Sequence, residues 1–444
     1  FPHRCHSGRV ALVKGGKRPS STDRQKAEMG KFFQPTGKNL PVIDRPGEAC
    51  SVDDSATRSW RRVYALIAFF LLVANLRPAL TSVGPMLAMI RSDLGLSGAA
   101  AGLLPTLPLL IFAIFSPLAR LGRVFGIERT LAACLGLIAA GIAVRSQGST
   151  IALFGGTVIF AVGIGVANVL VPSVIKRDFP HRVGSVTTVY VMVMTLAGAA
   201  ATGLAVPLAT HLAGGWRSSL AAWAGFAMLS LLCWLPMTSK SDAPVALAPV
   251  NERPAARPIW RSALAWQVTL YMGLQFLIYY VMIAWIPLFL ADHGRSRAEA
   301  GWLLSLYQTM TLAIGIITPA LLRRGRDQRP LAVIGSLTTA LSILGLTLAP
   351  NLAIWWLILG GASFGVTFIL AFALVGMRSA DHRRAASLSS MTQASAYLIA
   401  AAGPVAFGWI HDLAANWTVP MAILMMIALI HALAGLGAGR NGQV

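Results

Sequence analysis

Residues 75–85 read Asn-Leu-Arg-Pro-Ala-Leu-Thr-Ser-Val-Gly-Pro and interrupt an apolar stretch that begins "ALIAFFLL" and resumes "LAMI". If that stretch crosses a bilayer, Arg77 stands near its middle. A charge there costs about 2.5–3.5 kcal/mol even on a lenient insertion scale, and half of a ~30 Å hydrocarbon layer is too deep for the side chain to reach either surface. Water in a cavity, carbonyls freed by Pro78, or a bound anion must compensate it. The flat fork of guanidinium donors suits a small planar oxyanion or a polarised heterocycle. Substrate contact is therefore weighed above a structural arginine that caps carbonyls at the proline break. None of the sixteen Asp and Glu residues falls at the middle of an apolar run, so no carboxylate is expected at the depth of Arg77.

Further polar side chains fall at similar depth: Asn75, Thr81, Asn168, Gln275, Tyr279, Gln308, Gln393 and Tyr397. Gln275 and Tyr279 are four apart, as are Gln393 and Tyr397, so each pair shares a helix face. Uncompensated amides and hydroxyls are costly in lipid, which turns these residues toward the interior as candidate substrate contacts. For each of them a bond between helices competes with that role. Asn75 sits about 200° around the helix from Arg77, so both face one ligand only if Pro78 distorts the turn.

These residues need elements to hold them, and composition names the class. Of the 444 residues 56% are hydrophobic and 12% charged, with a mean hydropathy of +0.66. A soluble domain carries about 25% charged residues. Apolar runs recur from residue 62 onward, each long enough to span a bilayer. The reading is an all-α membrane protein of twelve helices, at 62–90, 98–119, 130–145, 149–174, 184–210, 217–237, 264–290, 299–322, 330–349, 352–377, 385–410 and 417–437. Residues 1–57 form a basic tail expected to be disordered, with Met29 as a candidate start. Residues 58–237 give a first six-helix bundle, 238–263 a polar linker and 264–444 a second bundle.

Net charge is +21, but the positive residues are not gathered on one patch, which argues against nucleic-acid binding. They alternate instead. Outside the tail, loops on one side carry 21 Lys and Arg and loops on the other carry 5, among them Arg145. The positive-inside rule then places both termini in the cytoplasm.

The halves repeat with an offset of about 200 residues: Ser97-Gly-Ala-Ala-Ala-Gly against Ser296-Arg-Ala-Glu-Ala-Gly, and Arg182-Val-Gly-Ser against Arg383-Arg-Ala-Ala-Ser. A parallel repeat places a binding site between bundles near the midplane. This architecture resembles the major facilitator superfamily. The loop after helix two, Ser116-Pro-Leu-Ala-Arg-Leu-Gly-Arg123, is similar to the gating loop of that superfamily, with Arg120 and Arg123 as candidate gating residues, but Arg120 replaces its acid and Glu128 is a weak substitute. "NLRPALTSVGP", "NVLVPSVIKRDFP", "GLQFLIYYVMIAWIP" and "SLSSMTQASAYLIAAAGP" together resemble its cyanate permease and nitroimidazole transporter branch. That resemblance implies an inner-membrane carrier of small flat compounds, and the chain is expected to act as a monomer.

No HExxH, GxSxG or Walker motif is present, and the four cysteines form no CxxC pair. An enzyme, a metal site, a cofactor and ATP-driven transport are not expected. A drug exporter is the alternative within transport, and an intramembrane sensor or enzyme is the remote one. The missing acids also favour uniport, anion exchange or coupling through the substrate's own proton over proton coupling through a buried carboxylate.

Overall fold

The computed structural model describes residues 53–115, 118, 121–179, 182–240, 259–323, 327–379 and 382–442. Among these, twelve helical stretches are long and apolar enough to cross a membrane. The first runs as three pieces, α1 (Asp53–Ala74), α2 (Pro78–Thr81) and α3 (Val83–Leu94). Then come α4 (Gly98–Phe115), the short α5 (Leu121–Val124), α6 (Ile127–Arg145), α7 (Thr150–Asp178), α8 (Val183–His211) and α9 (Trp216–Trp234). The last six spans are α10 (Ala263–Asp292), α11 (Arg297–Leu322), α12 (Arg329–Leu348), α13 (Ala353–Met377), α14 (His382–Ala414) and α15 (Thr418–Ala438).

Local chemistry sets these limits. Ser149, Ser262 and Ser296 precede α7, α10 and α11, and each hydroxyl accepts a first-turn backbone N–H, which satisfies one donor that the helix itself cannot. Gly95 ends α3 at φ 63°, a conformation open to glycine without cost. Small residues set the packing. A Cβ at Gly361 or Gly365 of α13 would run into the backbone of α11 at Tyr307 and Thr311, so these glycines let the two helices close on each other.

Two expected features differ. The first helix was expected as one segment over 62–90, but residues 75–77 break it. Pro78 has no N–H to give the carbonyl four residues back, and its ring crowds that turn. Arg145, the last residue of the expected span 130–145, was counted with the loop arginines facing water. It is the last residue of α6 as expected but has 1% of its surface exposed, because its side chain folds back into the protein rather than out to water.

Helix α10 is the central element, with 83% of its apolar window buried, against 22% for the span that begins at Trp216. Contacts between the first six and last six spans gather toward the end that carries few arginines. There α3 meets α10 at Gly84 and Ile283, α4 meets α14 at Gly98 and Gly408, and α8 meets α11 at Gly203 and Trp302. Each glycine lets backbones or rings approach to a distance that any side chain would prevent. The same seam holds an ion pair between halves, Arg91 Nη2 to Asp412 at 2.5 Å, and the Gly98 N–H also donates to that carboxylate.

Candidate functional site

The helix break makes the site. Arg77 occupies the position before α2 at φ −118°, ψ −39°, outside the regular helix, and Pro78 follows at the first helical position. Leu76 and Pro78 are buried, whereas Arg77 keeps part of its surface accessible at mid-span. No ion pair reaches it among the described residues. Its charge acts instead on four tyrosine hydroxyls: Tyr279 and Tyr280 of α10, Tyr397 of α14 and Tyr190 of α8. Tyr280 lies within electrostatic reach of the guanidinium. Both halves of the chain thus converge on one cation.

Aromatic faces continue this surface. Tyr279 stacks on Phe364 of α13 at 4.5 Å and 19°, and Phe364 stacks on Phe368 at 5.5 Å. Tyr397 leans on Phe276 at 5.5 Å and meets Phe112 of α4 edge to face at 6.3 Å. Such a wall offers π-faces to a flat ligand while the arginine offers paired donors to its electron-rich edge.

Helix α8 makes the close approach possible. Tyr190, Met194 and Gly198 lie four apart along one face. A Cβ at Gly198 would sit 3.1 Å from the Arg77 Cβ, so a larger residue would push the arginine away. Thr81 is buried and donates to the Gly198 carbonyl at 2.9 Å, which ties α2 to α8.

The remaining sequence candidates divide. Asn168 of α7 is partly accessible, and its amide makes no hydrogen bond among the described residues. The Gln393 amide donates to Ser389 at 2.8 Å on its own helix and stays partly accessible. Three others are buried and spent on packing. Asn75 donates to Ser230 of α9 at 2.7 Å and to the Leu71 carbonyl at 2.8 Å. Gln275 donates to Thr367 of α13 at 2.6 Å. Gln308 donates to Thr202 at 2.7 Å, a bond between α11 and α8 that joins the two halves. The geometry gives these three amides helix-to-helix roles. Arg120 lies outside the described residues, as does the side chain of Arg123. Glu128 pairs with Arg177 at 2.5 Å within the first half of the chain.

Tyr190 and the guanidinium-to-tyrosine geometry were not singled out by sequence. The four-residue spacing of Tyr190, Met194 and Gly198 is the signal that points to them.

A family model for the Major Facilitator Superfamily matches residues 65–404. The chain belongs to the Major Facilitator Superfamily. Over 393 residues it is 43% identical to a 2-nitroimidazole transporter of Escherichia coli (strain K12), which covers 88% of this chain and 99% of the relative. It is 28% identical over 360 residues to the cyanate transport protein CynX of the same organism, with 80% and 92% covered. The crystal structure of a bacterial homologue of the human lysosomal transporter Spinster superposes with a TM-score of 0.72 at 17% identity, over 85% of this chain and 97% of that one. This facilitator is therefore a multi-pass membrane transporter, with twelve spans among the described residues, and not an enzyme.

Proposed function

We propose that this facilitator carries a small planar polar compound, nitroimidazole-like or cyanate-like, by alternating access, and that Arg77 contacts the cargo. One observation carries the reading. A mid-span arginine without a carboxylate partner among the described residues, partly accessible, lies within electrostatic reach of four tyrosines contributed by both halves of the chain. A cargo with an electron-rich planar edge supplies the missing counter-charge, and the tyrosine and phenylalanine faces hold its ring. The names of the nitroimidazole and cyanate relatives agree with a small flat cargo. Asn168, Gln393, Tyr279 and Tyr397 complete the proposed contact set.

The two moving bodies are the six spans before and the six after the 238–263 linker. Positive-inside counting assigns the arginine-poor end to the outside of a bacterial inner membrane, with both termini cytoplasmic. The meeting of the halves at that end supports an inward-opening conformation. Uptake and efflux of 2-nitroimidazole and cyanate in proteoliposomes test the proposal. Arg77→Ala abolishes transport of the accepted compound while membrane insertion persists. Arg77→Lys, which keeps the charge and loses the fork, falls at least about tenfold. Unchanged transport in both variants removes Arg77 from the site.

A further inference from the structure

Arg145 is a buried arginine with no ion-pair partner among the described residues. It leaves α6 and reaches the broken first helix, where Nη1 donates to the carbonyl of Ala79 at 2.7 Å. Its guanidinium lies over the ring of Phe160 on α7, 4.8 Å from the centroid. Gly156 of α7 packs against its backbone and Cβ. Nε and Nη2 are buried without a hydrogen-bond partner. Among the described residues no ion pair reaches it.

A structural role does not account for this arrangement. One carbonyl can be held by a neutral amide, whereas a buried guanidinium with unbonded donors carries a desolvation penalty that a single neutral acceptor does not offset. The charge itself is the feature that needs a use. Ala79 is two residues from Arg77 on the same short segment, so the two guanidinium groups lie within about 15 Å of each other. At that distance, with an effective dielectric near 20, a unit charge alters the binding of an opposite charge by about tenfold.

We propose that Arg145 is a specificity-determining residue, whose uncompensated charge behind the helix break selects the ionised form of a cargo bound at Arg77. The proposal rests on the reading of Arg77 as the cargo contact. It places the substrate among planar weak acids carried as anions, or permanent planar anions.

The probe is a pair of compounds, 2-nitroimidazole, which can lose its ring proton, and its N1-methyl derivative, which cannot. Binding to the purified full-length protein in nanodiscs is measured below and above the pH at which 2-nitroimidazole ionises. Wild type binds 2-nitroimidazole more tightly at the higher pH and binds the methyl derivative equally at both. Arg145→Gln lowers the gain by about tenfold and leaves the methyl derivative unaffected, while Arg145→Lys keeps the gain. An unchanged gain in Arg145→Gln overturns the inference, and so does equal weakening of both compounds, the signature of a merely positional role. If Arg145→Gln does not fold, Arg145→Lys decides, because loss of the gain in that folded, still charged variant overturns it. Arg77→Gln separates the two readings. Unchanged binding of both compounds there removes Arg77 from the site whatever Arg145 does, and no binding of either compound to wild type overturns both readings.

Discussion

Asp412 is the residue whose removal most directly tests whether the two halves separate at the arginine-poor end. Its carboxylate accepts from Arg91 Nη2 at 2.5 Å and from the Gly98 N–H, so one side chain of α14 holds both ends of the α3–α4 turn. Among the described residues it forms the ion pair that crosses between the halves. Its side chain is 28% exposed and that of Arg91 27%, so the pair is partly screened and belongs near the upper end of the ~0.2–1 kcal/mol range of exposed pairs. The backbone bond to a charged acceptor adds about 1.5 kcal/mol, the low end for its class. Asp412→Ala thus destabilises the closed seam by about 2.5 kcal/mol, which shifts the ratio of closed to open by roughly 70-fold. Asp412→Asn keeps a carbonyl for Gly98 and shifts it by about fivefold. The Thr106 bond to the Ala401 carbonyl and the Gly98–Gly408 contact remain, so the population moves without the fold being lost. Spin labels at Gln147 and Asn351, both exposed between spans at this end, report the separation once the four native cysteines are replaced. The variants add a long-distance population in the order Ala, then Asn, then wild type. A distance distribution identical in all three refutes the latch.

Two further substitutions separate the cargo site from the packing around it. Gly198→Ala places a Cβ 3.1 Å from the Arg77 Cβ and displaces the arginine by a few tenths of an ångström, so KM for the accepted compound rises roughly tenfold with normal membrane insertion; unchanged KM argues that the α8 face does not position Arg77. Asn75→Ala cuts the bond to Ser230 and costs about 1–2 kcal/mol, read as a lower Tm with KM unchanged, whereas a raised KM at unchanged Tm returns Asn75 to the cargo site.

The twelve spans were legible because length and hydropathy are one-dimensional signals, and a bilayer enforces them at every helix. Their ends were less so. The eleventh span was expected over 385–410, while α14 runs His382–Ala414, and the added turn brings Asp412 to Arg91. A polar residue at a helix end reads as a loop in sequence. Only the neighbouring half of the chain shows that it is a joint.

The site was half legible for a related reason. Arg77 is visible in sequence because a cation at mid-span is anomalous wherever its neighbours lie. Gln275, Gln308 and Asn75 look the same as Gln393 and Asn168 in sequence, since an amide at depth satisfies itself on another helix or on a ligand by identical chemistry. The structure separates them by partner: Thr367, Thr202 and Ser230 take up the first three. Arg145 was hidden for the opposite reason. At the end of its span it counts as an ordinary loop arginine, and its meaning comes only from the Ala79 carbonyl, 66 residues away in sequence, which its side chain reaches. Proline and arginine act together here. The short segment after the break carries both Arg77 at its start and the carbonyl that Arg145 holds, so its positive character comes from two arginines that meet at one place in one helix.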